Sequence, residues 1–558
     1  MTQLSRFAPR LALLALAAGL ALALPGMAQV GTSNTAIADP TVPRPHTTPC
    51  AVQLFSNVQF ADFTPKPFTY TPPAGCPGPW AKVVLEADFS CTAGRQFDRT
   101  AQIAIGHVNV YYGTTMEPSA AVSPSWHVER DLTDYGGLFR TAQAGEVNLG
   151  NLVNETFTGI LSGSAKLLFY PASASEPAPR AADAVLSLSD APGGAALLAT
   201  TADVLAPTFS LPANVEIAYL DVITQSQASD EFWFTCVPDD VADELFSCPG
   251  TSFREAEITI DGQPAGFAPV YPWLFTGAID PLLWRPIPSV QTLNFVPYRV
   301  DLTPFAGVLS NGQPHKVGLS VFNANHHFLV TGALLLYLDH GASHVTGAVT
   351  RNTLGSHPHP TVQENLTTGT DGAITGTVKT KADRSFTLSG FVNTSHGKVE
   401  TTIRQLVQFS NDQDFVNSDT QFIQNIKQRT EVFSDTETKQ RGSIALAAKH
   451  LSYPLNLGIN FTVNPDGSAA QTTTSDQKFE SQEARLGRGL PFLGVVSNAM
   501  KTQDTLLFNA AGAVTGFQDR KSSQTYYSLN TKDGCYSRSI ASENGVLTAI
   551  TDGQGCGH

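Results

Sequence analysis

Acidic side chains set beside aromatic and guanidinium groups are the residues best equipped for chemistry in this chain. Asp98 stands in Phe97-Asp98-Arg99-Thr100-Ala101-Gln102-Ile103-Ala104-Ile105-Gly106, Glu117 follows Thr114-Thr115 in the loop after that run, and Asp230-Glu231 directly precede Phe232-Trp233-Phe234. Trp126, Trp273, Trp284 and Arg285 add flat, amphipathic surfaces of the kind that stack on sugar rings, with the guanidinium fork able to hold acceptor oxygens. Taken singly, each has a plainer reading: Asp98 as the cap of a turn or the partner of Arg99, the acids as surface ion pairs, the tryptophans as core. As a set they describe a carbohydrate-facing cleft in which paired carboxylates act as acid and base.

A pattern of two positions Asp98. Val83 to Phe89 alternates apolar and polar residues, a short connection from Ser90 to Gln96 contains Gly94, and the second run begins at Phe97. That spacing predicts a β-hairpin. On its second strand Arg99, Ala101, Ile103 and Ile105 share one face while Asp98, Thr100 and Gln102 share the other, so Asp98 is expected at the mouth of a strand on a polar face. Similar short runs, broken by Gly and Pro turns and with little helical periodicity, recur to about residue 342. They predict an all-β chain of sandwiches or jelly rolls, with Pro171 to Pro179 as a linker between two blocks. Residues 29–75, rich in Pro and Thr, read as an extended lead-in. Beyond 343 the composition shifts to Thr, Ser, Gln and Asn while alternation persists, which predicts a separate C-terminal β-rich domain, 343–558.

Composition narrows the partners. With 558 residues, 42% of them hydrophobic and a net charge of −14, the chain can bury several cores but lacks the basic footprint of a nucleic-acid binder. Arg6 and Arg10 flank an apolar run from Leu11 to Leu24 that ends in Pro25-Gly26-Met27-Ala28, which reads as a signal peptide over 1–28 and predicts a secreted or periplasmic protein. No later window is apolar enough for a membrane span, so no membrane partner is expected, and the chain is expected to act as a monomer. Export permits disulfides, and Cys236 with Cys248 and Cys535 with Cys556 each close a short polar loop; seven cysteines leave at least one unpaired. No metalloprotease, nucleophile-elbow, P-loop or dinucleotide signature is present. His357 and His359 lie in a Pro-rich linker and Asn325-His326-His327 beside a strand; neither group is assigned a metal.

The segment CTAGRQFDRTAQIAIGHVNVYYGTTMEPSAAVSPSWHVERDLTDY, Cys91 to Tyr135, resembles the acidic, plant-type peptide:N-glycanases (peptide-N4-(N-acetyl-β-glucosaminyl)asparagine amidase A). So do NETFTG (154–159), SDEFWF (229–234), FREAEITIDG (253–262) and TGAIDPLLWRPI (276–287), in order over roughly 50–342. FDRTAQI and Asn154-Glu155-Thr156-Phe157 are also similar, more distantly, to motifs of peptide-N-glycosidase F. The resemblance implies two jelly rolls side by side, over 76–180 with the catalytic Asp and 181–342, followed by the C-terminal domain. It implies removal of whole N-linked glycans from glycoproteins or glycopeptides by cleaving the amide between the innermost N-acetylglucosamine and Asn, with no cofactor or metal and with tolerance of core α1,3-linked fucose, in acid. By residue it implies Asp98 as the catalytic carboxylate, Glu155 as a supporting acid and Glu231 as the nearest analogue of a third. Arg99, Glu117, Trp126, Asp230, Trp233, Arg254, Trp284 and Arg285 become candidates for substrate binding. An endo-acting glycoside hydrolase and a non-catalytic carbohydrate binder are the rival classes.

Overall fold

A four-on-four sandwich, a five-on-four sandwich and one large sheet make up the structure, a computed structural model that describes residues 29–487 and 489–556. The signal-peptide reading of 1–28 lies outside the described residues. The first sandwich contains β1 (Cys50–Phe60), β2 (Lys66–Tyr70), β3 (Trp80–Cys91), β4 (Thr100–Ile105), β5 (Val108–Thr114), β6 (Ser125–Asp131), β7 (Gln143–Asn148) and β8 (Leu161–Pro171). Its sheets run β1-β8-β3-β6 and β2-β7-β4-β5, the interleaved order of a jelly roll. The second contains β9 (Ala184–Ser187), β10 (Ala195–Leu198), β11 (Thr208–Phe209), β12 (Val215–Ser226), β13 (Glu255–Ile260), β14 (Gln263–Pro269), β15 (Tyr298–Asp301), β16 (His315–Phe322) and β17 (Phe328–Leu338). There the orders are β10-β17-β12-β15, with β9 also on β17, and β11-β16-β13-β14.

Three expectations are corrected. The run 83–89 and the run beginning at Phe97 do not form a hairpin: β3 pairs with β6 and β8, β4 with β5 and β7. The connection between them crosses from one sheet to the other, and Val83, Leu85, Ala87 and Phe89 meet Ala101, Ile103 and Ile105 across the sandwich interior. Alternation fixes the two faces of a strand, not the sheet it joins. The lead-in is also partly sheet. It supplies β1 and β2, while the residues before β1 link the first sandwich, where Arg44 pairs with Glu86 (2.9 Å) and Glu129 (2.7 Å), to the C-terminal sheet, where Ala38 N–H donates to Gln524 (2.7 Å) and Tyr536 donates to the Ala38 carbonyl (3.0 Å).

The C-terminal region is not separate. Residues 346–552 form one twelve-stranded antiparallel sheet whose apolar face shares a core with the second sandwich. Phe386 packs on Phe267 (5.4 Å between centroids), Phe409 on Trp233 (6.3 Å) and Tyr453 on Tyr271 (5.1 Å). A polar-rich composition hides this because only alternate residues of each strand turn inward.

The near-continuous apolar run of β17 has its own cause. Leu334 and Leu336 enter the second sandwich's core, whereas Ala333, Leu335 and Tyr337 enter the first's, so this sheet is covered on both faces. Each such leucine contributes about 1.5–3 kcal/mol by leaving water. Cys236–Cys248 and Cys535–Cys556 are bridged as expected; a third bridge joins Cys50 to Cys76, and Cys91 is free and buried.

Candidate active site

The polar face of β4 turns toward the second sandwich, not toward open water. Thr100 Oγ1 donates to Gln225 (3.2 Å), Gln227 donates to Thr100 (2.8 Å), and the Tyr112 hydroxyl donates to Gln225 (2.7 Å), so the mouth of β4 is pinned to the end of β12. Asp98 sits just before β4, at this seam. Three further segments converge on it: Thr114–Glu117 after β5, the turn 228–231 after β12, and residues 276–285 between β14 and β15. The first and last of these are laced to the Asp98 segment by Thr276 Oγ1 donating to the Thr115 carbonyl (2.7 Å), Thr115 N–H to the Arg99 carbonyl (2.9 Å) and Arg99 N–H to Thr115 Oγ1 (2.9 Å).

Within this frame Asp98, Glu117 and Glu231 come together. The Asp98 N–H donates to Glu117 Oε1 (3.3 Å), and Glu117 Oε2 takes a hydrogen bond from Arg285 Nη2 (2.7 Å). Burial pushes the Asp98 carboxyl up to about 6, with the Arg99 charge and the Gly277 N–H pulling against it. Glu117 is pushed up to about 7 by burial and then by the Asp98 charge, against the pull of Arg285. Glu231 is raised to about 7, again by burial first and then by the charges of Asp98 and Glu117. Each ionisation in this shared field makes the next harder, so between about 6 and about 7 the set holds a base, Asp98, and a proton donor at once.

Gly277 is the residue that lets them meet. A Cβ there would lie 2.5 Å from Glu117 Oε1 and 2.6 Å from Asp98 Oδ1. Its neighbour Ile279 has φ of 59°, a region a β-branched residue seldom enters, at a cost on the order of 1–3 kcal/mol. We expect Gly277→Ala to fold, because Gly277 itself is not at positive φ, yet to lose about tenfold to a hundredfold in kcat/KM as both carboxylates are displaced. Steady-state kinetics alongside thermal unfolding checks this.

The other candidates divide. Arg99 donates to Gln96 Oε1 (2.9 Å) and lies 5.8 Å from the Phe97 ring. Its Nε, like that of Arg285, is buried without a hydrogen-bond partner among the described residues, leaving two donors beside the carboxylates. Asp230 and Arg254 are not at the surface. Both are sealed and paired at 3.2 Å, and Asp230 also accepts from the N–H groups of Asn325 and His327 (3.0 and 2.9 Å). Their work is to anchor the turn, strained at Ala228 (φ 50°), that presents Glu231.

The tryptophans expected to stack on sugar are core. Trp126 is 6% exposed against Phe89, Trp233 lies under Phe409, and Trp284, wholly buried, donates to the Ala278 carbonyl (2.9 Å). Trp273 is likewise buried. The exposed aromatic surface is instead Phe97, 47% exposed, in a row Arg99, Phe97, Phe157, Arg95, with the two rings 5.1 Å apart and Arg95 5.4 Å from Phe157. Glu155 is exposed two residues from Phe157, with no hydrogen-bond or ion-pair partner among the described residues; the structure does not join it to the carboxyl cluster. Glu117 holds that place. His357 pairs with Glu257 (3.0 Å). The one group of potential metal ligands found among the described residues, Glu216, Asp339 and His396, is accounted for by ion pairs of Glu216 with Arg180 and His396 and by Ser395 donating to Asp339.

A family model described as peptide N-acetyl-β-D-glucosaminyl asparaginase amidase A matches residues 39–354, more than half of the chain. The chain is 29% identical over 537 residues to the peptide-N4-(N-acetyl-β-glucosaminyl)asparagine amidase A of Prunus dulcis, covering 92% of this chain and 91% of that protein. Among solved structures, PNGase F, a glycosylasparaginase from Flavobacterium meningosepticum, overlays with a TM-score of 0.35 and 13% identity over 52% of this chain and 96% of that one. PNGF-II overlays with a TM-score of 0.36 and 12% identity over 52% and 65%. Overlays this loose have no bearing on the chemistry.

Proposed function

Because the chain belongs to the peptide N-acetyl-β-D-glucosaminyl asparaginase amidase A family, we propose that it hydrolyses the amide joining the innermost N-acetylglucosamine of an N-linked glycan to Asn, leaving Asp in the peptide. The observation that carries the reading is the convergence of Asp98, Glu117 and Glu231 at the seam between two sandwiches, with two guanidinium groups beside them.

Amide hydrolysis needs an activated water, donors for the developing oxyanion and a proton for the departing nitrogen. Asp98, the most readily ionised of the three, is the base that takes a proton from water at the Asn carbonyl. The guanidinium groups of Arg99 and Arg285, held beside the carboxyls by Gln96 and Glu117, supply the positive charge and N–H donors for the oxyanion. Glu231, protonated to higher pH than Asp98, delivers the proton to nitrogen, while Glu117, tied to Arg285 and to the Asp98 N–H, sets the charge felt by both. The exposed Phe97 offers the apolar face on which a sugar ring rests.

The reaction then has a bell-shaped pH dependence peaking on the acid side of neutrality. kcat/KM rises as Asp98 loses its proton through about 6 and falls as the coupled glutamates lose theirs through about 7. A rate–pH profile on one glycopeptide reads both limbs; a profile flat from pH 5 to 8 would remove this assignment. Tolerance of core α1,3-fucose rests on family membership and is read by comparing fucosylated with plain glycopeptide. A secreted or periplasmic setting is supported by the leader-like N-terminal sequence and by three disulfides. Among the described residues no helix is long and apolar enough to cross a membrane.

The deciding experiment is mass spectrometry of a glycopeptide digested with chelator present. The proposal requires a peptide with Asp at the former glycosylation site and an intact glycan. A peptide retaining one N-acetylglucosamine would mean a glycoside hydrolase, and binding without product would mean a lectin-like protein.

A further inference from the structure

Gly277 and Arg285, which shape the carboxyl cluster, both belong to the long excursion between Pro269 and Tyr298, whose one regular element is the short turn Pro281–Trp284. A segment of that length without strands does not hold a guanidinium in register by itself. What it lies on is the C-terminal sheet. Tyr271 donates to the Lys478 carbonyl (3.2 Å), Gln477 donates to the Pro272 carbonyl, and Ser289 donates to Gln477. Between these ties, buried Thr502 donates to the Leu283 carbonyl (3.0 Å) and Arg520 Nη2 to the Arg285 carbonyl (2.5 Å). Asp280, whose side chain caps the turn at the Leu282 N–H (2.9 Å), meets Asp504 of the same sheet, and both are fully buried with the Arg520 charge acting on them.

We propose that Thr502 and Arg520 are positioning residues for the amidase site: by holding the carbonyls of Leu283 and Arg285, the C-terminal sheet fixes where the Arg285 guanidinium meets Glu117 and so the proton balance between Glu117 and Asp98. This rests on the function proposed above. It gives a catalytic task to a region that the family match, ending at residue 354, does not reach. The chain of contacts runs from Arg520 to the Arg285 carbonyl, from Arg285 to Glu117 Oε2 (2.7 Å), and from Glu117 Oε1 to the Asp98 N–H (3.3 Å). Neither Thr502 nor Arg520 is among the side chains of the carboxyl cluster, so both act through the loop.

The test uses the full chain with Arg520→Ala and Thr502→Val, and Asp552→Asn as a control that breaks the exposed Arg538–Asp552 pair elsewhere on the same sheet. In Arg520→Ala kcat is expected to fall by about tenfold to a hundredfold, the price of a misplacement on the order of 1 Å. The alkaline limb of the rate–pH profile is expected to move upward, because Glu117 keeps its proton longer when Arg285 drifts away. Thr502→Val moves the same readouts in the same direction by less and serves should Arg520→Ala not fold. Asp552→Asn leaves the profile in place. Parent-like kcat and limbs in both sheet variants, or a rate loss with an unmoved alkaline limb that tracks only the folded fraction, would overturn the proposal. Absence of glycan release by the unaltered chain would instead sink the amidase reading itself.

Discussion

Asp98→Asn gives a folded protein whose glycan release falls by about 10³–10⁴ or below detection. Asn has the shape of Asp and can still accept the Gly277 N–H, but it cannot take a proton from water. The same change separates a catalytic role from a structural one through stability. Burial raises the folded-state value of Asp98 from its ordinary 3.8 to about 6, so ionising this carboxyl works against the native state. The stability it confers is present below about 4 and is lost as pH rises through about 6. Replacing it with a neutral isostere removes that penalty, so at pH 8 the variant's Tm equals or exceeds the parent's. A carboxylate that served only as a cap or an ion-pair partner would show the opposite, a lowered Tm with activity in proportion to the folded fraction. Glycopeptide turnover and thermal unfolding on the same samples check both halves.

Glu231→Gln is the second large effect. The turn that carries residue 231 is held by its neighbour, through Asp230 with Arg254 and two backbone N–H groups, so the side chain can change without releasing the loop. Gln keeps the size and can still hydrogen-bond to a substrate amide, so KM stays near the parent value. It carries no labile proton for the departing nitrogen, so kcat drops by about 10²–10⁴. The limbs of the rate–pH profile respond differently. The alkaline limb loses the contribution of Glu231 and flattens, whereas the acid limb stays with Asp98 near about 6, because Glu231 is still protonated and uncharged where Asp98 titrates. If both limbs keep their places and only KM rises, Glu231 binds substrate and another group supplies the proton.

Much of this site was legible in the chain because it lies where local rules are strong. A period of two was enough to put Asp98 at a strand mouth on a polar face, and short spacing was enough to pair Cys236 with Cys248 and Cys535 with Cys556. What could not be read was long-range. The polar face of β4 looks the same in sequence whether it meets water or, as Thr100 does, Gln225 of another sandwich. Asp230 and Glu231 are adjacent acids of equal promise, and only the fold sends one inward to Arg254 and the other toward Asp98. Trp126, Trp233 and Trp284 suggested sugar-stacking because indole serves equally well in a core, which is where they lie. Gly277 offered no signal beyond its place in a matched stretch, since its importance is the side chain it lacks. The C-terminal strands hid their contribution because the inward-facing half of each is apolar and the outward half is not.

The most direct test of water attack at the carbonyl carbon is a single-turnover digest in ¹⁸O-water, with the peptide product fragmented to locate the label. Attack directed by Asp98 at the amide places ¹⁸O in the side-chain carboxyl of a newly formed Asp. A peptide that emerges with an unlabelled Asn, having been cut on the sugar side of the nitrogen, would contradict it.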